Sequence, residues 1–193
     1  MNFKSIGQII LSVADILRPA EELSVSEAAA KYRYVNQPGA YVGNWLNTTT
    51  PMMVEPMDVF TSREYSGEVF VGPAQSGKTD SLIINTVAYT IKVEPMDTMI
   101  VCPTMTAGRD FSIRRIDRLH RHSEKIGAML MGGSDHDNKF DKHYINGMLL
   151  PISWPTPTER AGKPIGRIVM TDFDRMPMDV AGDGNPYDLA SKR

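Results

Sequence analysis

The stretch Glu68-Val-Phe-Val-Gly-Pro-Ala-Gln-Ser-Gly-Lys-Thr79 decides the fold. An apolar run, Val69 to Val71, meets Gly72; Gly77, Lys78 and Thr79 then complete the Gly-x-x-x-x-Gly-Lys-Ser/Thr pattern of a phosphate-binding P-loop. Beyond Asp80, the apolar residues Leu82, Ile83, Val87 and Ile91 recur on one side of a helix. Strand, loop and helix start are therefore written consecutively, which is the context the motif needs. The glycines let the backbone turn sharply, so that N–H groups of Gly72, Gln75, Ser76 and Gly77 and the positive end of the helix converge on phosphate oxygens. The nucleotide-binding segment is expected to comprise Gly72, Pro73, Ala74, Gln75, Ser76, Gly77, Lys78, Thr79 and Asp80. Within it Lys78 supplies a point charge to the β- and γ-phosphates of ATP, and the Thr79 hydroxyl a ligand for Mg2+.

The 193 residues suffice for one α/β domain with a real core and an added arm. Lys and Arg total 21 against 23 Asp and Glu, a net charge of −2, so no global positive field marks a nucleic-acid binder and any DNA contact must be local. A single cysteine, Cys102, cannot form an internal disulfide, in keeping with a reducing cytoplasm. No apolar stretch approaches the ~18 residues of a membrane helix, and Asp15 and Arg18 interrupt anything like a signal peptide. The chain reads as soluble and cytoplasmic.

Phe3, Ile6, Ile10, Val13 and Leu17 space an amphipathic helix that Pro19 stops, its partner being either this protein's core or another subunit. Ser24-Val-Ser-Glu27 has capping-box spacing and opens a second short helix that ends before Pro38-Gly39. Lys31, Tyr32, Arg33 and Tyr34 have the make-up to stack on nucleic acid, although packing with a solvated face explains them more simply. From Asn36 to Met57 no period survives, and an irregular arm is expected. Residues 1–57 are thus an N-terminal arm and 58–193 the P-loop domain.

Thr98 to Cys102 reads as a buried parallel strand. The helix that follows, Thr106 to Ile126, turns Phe111, Ile116 and Leu119 inward and places Arg114, Arg118, Arg121 and Lys125 on the opposite face. That basic stripe is the best DNA-contact candidate, against the alternative of a merely solvated face. The four histidines show no zinc spacing, and Asp135, Asp137 and Asp141 lack the Gly and closing Glu of a calcium loop. Asn146-Gly147 between apolar runs signals a hairpin, and Trp154 to Pro164 a surface loop. Arg167 to Asp174 reads as an apolar strand ending in carboxylates, about 90 residues after Lys78, a plausible distance for the second half of a nucleotide site. Asp172 is then the residue that holds Mg2+ or activates water, with Asp174 the second acid. Gly182 to Pro186 is a loop opening a last helix.

Taken in order, these residues resemble the lambda-type large subunit of the tailed-phage terminase. The similar stretches are Ser24-Val-Ser-Glu-Ala-Ala, Thr50-Pro-Met-Met-Val-Glu-Pro-Met-Asp58, Gln75-Ser-Gly-Lys-Thr79, Val101-Cys-Pro-Thr104 with Ala107, Arg114-Arg-Ile-Asp117, and Asp172-Phe-Asp-Arg-Met-Pro177 with Gly182-Asp-Gly-Asn-Pro186 and Leu189-Ala-Ser-Lys-Arg193. The resemblance implies an ATPase, with Lys78, Asp172 and Asp174 catalytic, Thr79 and Asp172 on Mg2+, and hydrolysis coupled to moving double-stranded DNA into a procapsid. It implies a terminase small subunit and the portal as partners, further copies of the chain in the packaging complex, and the host cytoplasm as location. Two departures stand out. Thr171 falls where the family has its magnesium-binding Asp, with Asp172 on the catalytic Glu; and the coupling motif and nuclease domain of the family do not follow.

The expected fold is therefore an α/β P-loop NTPase, a three-layer sandwich with a mainly parallel sheet, preceded by a helical and irregular arm. The alternatives are an ATP-binding assembly module that does not hydrolyse, or a truncated terminase remnant. A helicase or small-molecule kinase lacks supporting motifs.

Overall fold

The computed structural model describes residues 5–7, 21–156, 165–182 and 184–191. Most of the expected Phe3–Leu17 helix and residues 157–164 of the expected Trp154–Pro164 loop lie outside the described residues.

Helix α1 (Val25–Tyr32) starts where the sequence places it: the Glu27 N–H donates to the Ser24 hydroxyl, and the Ser24 N–H donates to Glu27 Oε2 at 2.8 Å. Its buried face, Val25, Ala28, Ala29 and Tyr32, packs on helix α3 (Asn85–Lys92). A hairpin, β1 (Tyr34–Gln37) and β2 (Tyr41–Asn44), occupies what was expected to be the start of an irregular arm. Pro38 and Gly39 make its turn: the Ala40 N–H donates to the Gln37 carbonyl at 2.9 Å with Gly39 at φ +85°, as a type II turn requires. The missing apolar alternation has a physical reason. Asn36 and Gln37 are held by side-chain hydrogen bonds, to His122 and Asp80, and not by apolar burial. Helix α2 (Val54–Val59) is tied back to α1 by Asp58, which accepts from the Ser26 N–H and the Ser26 hydroxyl, both at 2.9 Å.

The sheet has four strands, β3 (Thr98–Val101), β4 (Asp141–His143), β5 (Leu149–Ser153) and β6 (Arg167–Met170), in the order β4-β5-β3-β6. Its centre is β3, buried at every position and parallel to both β5 and β6. Strand β4 joins β5 antiparallel. The expected Asn-Gly hairpin is present as a three-residue loop, with the Tyr144 N–H donating to the Met148 carbonyl at 3.0 Å and Gly147 at φ +87°. Between β3 and β4 run α4 (Met105–Phe111), a π-helical turn (Ser112–Ile116), α5 (Asp117–His122) and α6 (Glu124–Gly127). The class is α/β with a mostly parallel sheet. One apolar core joins Val25, Ala29, Met53 and Met57 of the N-terminal region to Ile84, Val87, Ile91, Ile100, Ile116 and Leu150.

Three expectations are corrected. Val69–Val71 forms no strand: Val69 and Val71 are 85% and 92% exposed, and the Phe70 ring lies over Gly72, where a Cβ would meet Phe70 Cε1 at 2.6 Å. Three apolar residues between Gly67 and Gly72 offer few ladder bonds, and both glycines weaken a strand. Strand β6 is therefore an edge of the described sheet. It also ends at Met170, short of Asp172 and Asp174. The P-loop helix differs from its expected one-sided form: α3 is buried on all faces, with Asn85, Thr86 and Thr90 among its buried residues.

The inner face of α5 is pinned to β4 and its turn. Lys142, 3% exposed, pairs with Asp117 at 2.8 Å and Asp137 at 2.5 Å, and His120 Nε2 lies 2.9 Å from the Tyr144 hydroxyl. Burial first, then the Lys142 charge, lowers the His120 pKa from 6.5 to about 4, against the opposing pull of Asp117 and Asp137. Between those values the unfolded chain binds a proton that the folded chain refuses, so stability falls with falling pH. Urea unfolding at pH 7 and pH 4.5 is expected to show a loss of about 2 kcal/mol from this group, and a flatter profile in His120→Gln.

Candidate functional site

The P-loop owes its shape to two left-handed residues. Gln75 has φ +59° and Gly77 φ +82°, and Lys78 follows at φ −52°, ψ −41°. Alternation of φ sign between neighbours turns successive N–H groups into one concavity, a nest for an anion. Gly77 is required twice over: its φ favours glycine, and a Cβ would come within 3.3 Å of Thr50 Cγ2. The Ser76 hydroxyl is buried with no hydrogen-bond partner among the described residues. Such an atom is costly unless a ligand or water completes it. Pro73, Ala74 and Gln75 are exposed, whereas Gly72, Ser76, Lys78 and Thr79 are half-buried. The Lys78 ammonium donates to the Pro73 carbonyl at 2.8 Å, closing the loop on itself. Thr79 opens a π-helical segment, Thr79–Ile84, that runs into α3.

Asp80 behaves differently from the rest of the expected nucleotide-binding segment. Its carboxylate is committed to three donors of the protein itself: an ion pair with Arg33, Arg115 Nη1 at 2.8 Å and Gln37 Nε2 at 3.0 Å. Arg33 also donates to the Asp80 carbonyl at 2.6 Å and to Asn85 Oδ1, and its guanidinium stacks on the Trp45 ring at 4.8 Å. The Arg33 side chain is 4% exposed. Desolvation pulls its pKa down from the ordinary value and the Asp80 charge opposes that. Arg33, Gln37 and Arg115 were missed as partners of the P-loop helix. The available signal was Asp80 itself, an acid on an otherwise apolar helix start, but nothing local names the cations that meet it.

At the other half of the expected site, Thr171 is buried and extends the pairing of β6, its N–H donating to the Val101 carbonyl at 3.0 Å. Asp172 then sits in the left-handed region at φ +49°, ψ +49°, and Phe173–Arg175 forms a 3-10 turn. An aspartate tolerates that conformation better than most residues, and the reversal stops the strand. Asp172 and Asp174, both exposed, therefore do not share one strand face. The Thr171 hydroxyl donates to Asp172 Oδ2 at 3.4 Å. Cys102, buried just past β3, has its thiol pKa pushed up to about 12, by burial and then by the charge of Asp172. Asp172 thus lies at the carboxyl ends of β3 and β6, where open α/β sheets place their ligands. Among the described residues no hydrogen bond or ion pair joins Lys78 to Asp172, and no group of three or more His, Cys, Asp and Glu is placed to hold a metal ion.

Arg114, Arg118, Arg121 and Lys125 are all exposed, although the π turn at Ser112–Ile116 and the break at Ser123 interrupt the regular stripe. No described helix is long and apolar enough to cross a membrane.

The family model for the phage terminase large subunit gpA, ATPase domain, matches residues 39–193. No curated protein and no solved structure matches the chain. The matched span contains the P-loop, Arg115 and the strand ending at Met170, and it leaves Arg33 and Gln37 upstream, so the Asp80 contacts bind the matched span to the segment before it.

Removing one partner of a buried ion pair leaves the other charge without compensation, at a cost of about 3–5 kcal/mol. Asp80→Ala is expected to lose stability on that scale in urea unfolding, and Asp80→Ala combined with Arg33→Met to recover part of it. Independent, additive losses would show that the pair does not hold the helix start.

Proposed function

This chain belongs to the family of phage terminase large-subunit ATPase domains, which carries ATP use and a role in DNA packaging in general; from that membership we propose that it is the ATP-hydrolysing motor part of such a subunit, driving double-stranded DNA into a procapsid. The observation that carries the proposal is the anion nest at Gly77-Lys78 beside the unpartnered Ser76 hydroxyl, at the mouth of the first helix after the loop. Backbone N–H groups of Gly72, Gln75, Ser76 and Gly77 would cradle the phosphates, and Lys78, released from the Pro73 carbonyl, would neutralise β/γ charge. The Thr79 hydroxyl and the Asp172 carboxylate are hard oxygen donors of the kind Mg2+ prefers. Mg2+, when bound, would neutralise charge on the transferring phosphoryl group. Asp172 or Asp174 would orient the attacking water. Asp80 would act through the loop, holding the helix start in place and not touching the nucleotide.

In this reading residues 1–57 form an arm and 58–193 the motor part, working in the host cytoplasm with further copies of the chain, a small terminase subunit and the portal. The exposed arginines 114, 118 and 121 would meet the DNA backbone. A second reading, an ATP-binding assembly module without turnover, is favoured by one observation: the buried position at the end of β6 holds Thr171, whose hydroxyl donates to Asp172 and carries no charge for a metal.

Lys78→Ala is expected to weaken binding of a fluorescent ATP analogue at least 100-fold, a loss of about 3 kcal/mol. Unchanged affinity would remove the nucleotide site. Steady phosphate release by wild type with Mg2+, DNA and small subunit, lost in Asp172→Asn, is the outcome expected of a motor; nucleotide binding with no release in any mixture would leave the assembly module.

A further inference from the structure

Hairpin strand β1 and the basic helix enclose a notch beside the start of the P-loop helix, lined among others by Asn36, Gln37, Asp80, Arg114, Arg115 and Arg118. The buried Arg33 is among its lining residues and is already matched by Asp80. Asp80, the one carboxylate among its lining residues, is taken by Arg33 and Arg115, so Arg114 and Arg118 line the notch with no carboxylate left over. Arg114 and Arg118 are exposed and make no ion pair among the described residues, and the Asn36 side-chain amide, which also meets His122, is among the lining groups. Guanidinium groups gathered in one concavity, with neutral amides beside them, are the chemistry that recognises a phosphate.

Arg115 is the unusual member. Its side chain is 39% exposed and it reaches Asp80 at 2.8 Å, yet Asp80 keeps Arg33 and Gln37 without it. Arg115 can leave Asp80 without stranding a buried charge, which Arg33 cannot do. It also sits in the π-helical turn Ser112–Ile116, and Asp80 in the π-helical segment Thr79–Ile84, so the contact joins the two π-helical turns among the described residues. Irregular turns of this kind concentrate where a helix has a task other than packing.

We infer that this notch binds a backbone phosphate of duplex DNA through Arg114 and Arg118, drawing Arg115 away from Asp80 as it does so. Asp80 follows Thr79 directly, so occupation of the notch is felt at the first turn after the P-loop. By linkage, nucleotide at the loop must then alter DNA affinity by the same factor that DNA alters nucleotide affinity. The inference rests on the reading that the chain binds ATP and DNA, and narrows the DNA contact from a whole helix face to one concavity that includes Arg115.

The test uses the full chain, a fluorescently labelled duplex followed by anisotropy at several salt concentrations, and a fluorescent ATP analogue titrated with and without saturating duplex. Arg114→Ala combined with Arg118→Ala is expected to weaken duplex binding about tenfold or more and to lower the magnitude of the salt slope by about 2. Arg109→Ala, exposed on the same helical run but outside the notch, is expected to change it less than twofold. Equal losses in the two variants would overturn the notch in favour of a diffuse basic face. Arg115→Ala is expected to bring the ratio of ATP affinities with and without duplex to about 1, and Arg115→Lys to restore part of it. A ratio unchanged from wild type in Arg115→Ala, or a wild-type ratio already at 1, would overturn the link. If the ATP analogue competes with duplex directly in Lys78→Ala, the phosphate in the notch is the nucleotide's own and the DNA assignment is overturned. Failure of wild type to bind the analogue at all would refute the nucleotide reading, while the duplex arm would still decide the notch.

Discussion

A guanidinium taken almost wholly out of water has to be met by a carboxylate, and the Arg33–Asp80 pair is the constraint from which the rest of this structure follows. Arg33 leaves α1 at its C-terminal end and begins the hairpin, and Asp80 stands one residue beyond the P-loop threonine. Their contact draws the N-terminal region over the helix that bears the loop, and the apolar core closes around it, from Val25 and Met57 to Val87 and Ile91. The pair is held by neighbours of several kinds: the Trp45 ring, the Asn85 amide and the Gln37 amide. A lone buried pair of this sort is weak evidence for stability, but one whose remaining donors and acceptors are satisfied fixes a single geometry.

That geometry explains why the P-loop helix starts as a π turn. Arg33 takes the Asp80 carbonyl as an acceptor, and the Asn85 N–H donates to the same carbonyl in the wide five-residue step. A carbonyl with two lone pairs can serve both. The turn at Ser112–Ile116 places Arg115 against the same carboxylate, so one acid organises two helices and a hairpin. The consequence is positional: the loop runs into a helix start anchored from three directions, which would limit the ordering cost of binding an anion there.

Much of the fold was legible in the sequence wherever the determinant was local. The capping box at Ser24, the Asn146-Gly147 hairpin and the buried run Thr98–Val101 each carry their own chemistry within a few residues. The hairpin at Tyr34–Asn44 was not legible, because its inward polar residues, Asn36 and Gln37, are paired with His122 and Asp80, far along the chain. The P-loop motif could be read as a nest from its glycines alone, and Gly77 does adopt the positive φ the motif needs. The Asp80 contacts could not, since Arg33 and Arg115 lie 47 and 35 residues away. The apolar run before the loop misled for the opposite reason: Val69 to Val71 has strand composition, but composition does not supply a neighbour to pair with.

Backbone strain supplies an independent argument about where chemistry is to be sought. Three non-glycine residues among those described have positive φ: Gln75, Asp172 and Ala181. A left-handed conformation costs a non-glycine residue on the order of 1 kcal/mol or more and persists where surroundings over-determine it. Gln75 lies in the phosphate loop and Asp172 at the carboxyl end of β6, the two segments that the motif reading paired as halves of one site. Had β6 simply run on, Thr171 to Asp174 would have alternated their side chains, placing Asp172 and Asp174 on one face. The left-handed turn at Asp172 instead withdraws it from the strand and sets it beside Cys102 at the end of β3. The left-handed turn thus takes one acid out of a sheet edge and leaves its carboxylate exposed at the carboxyl ends of β3 and β6, the end at which open α/β sheets place their ligands.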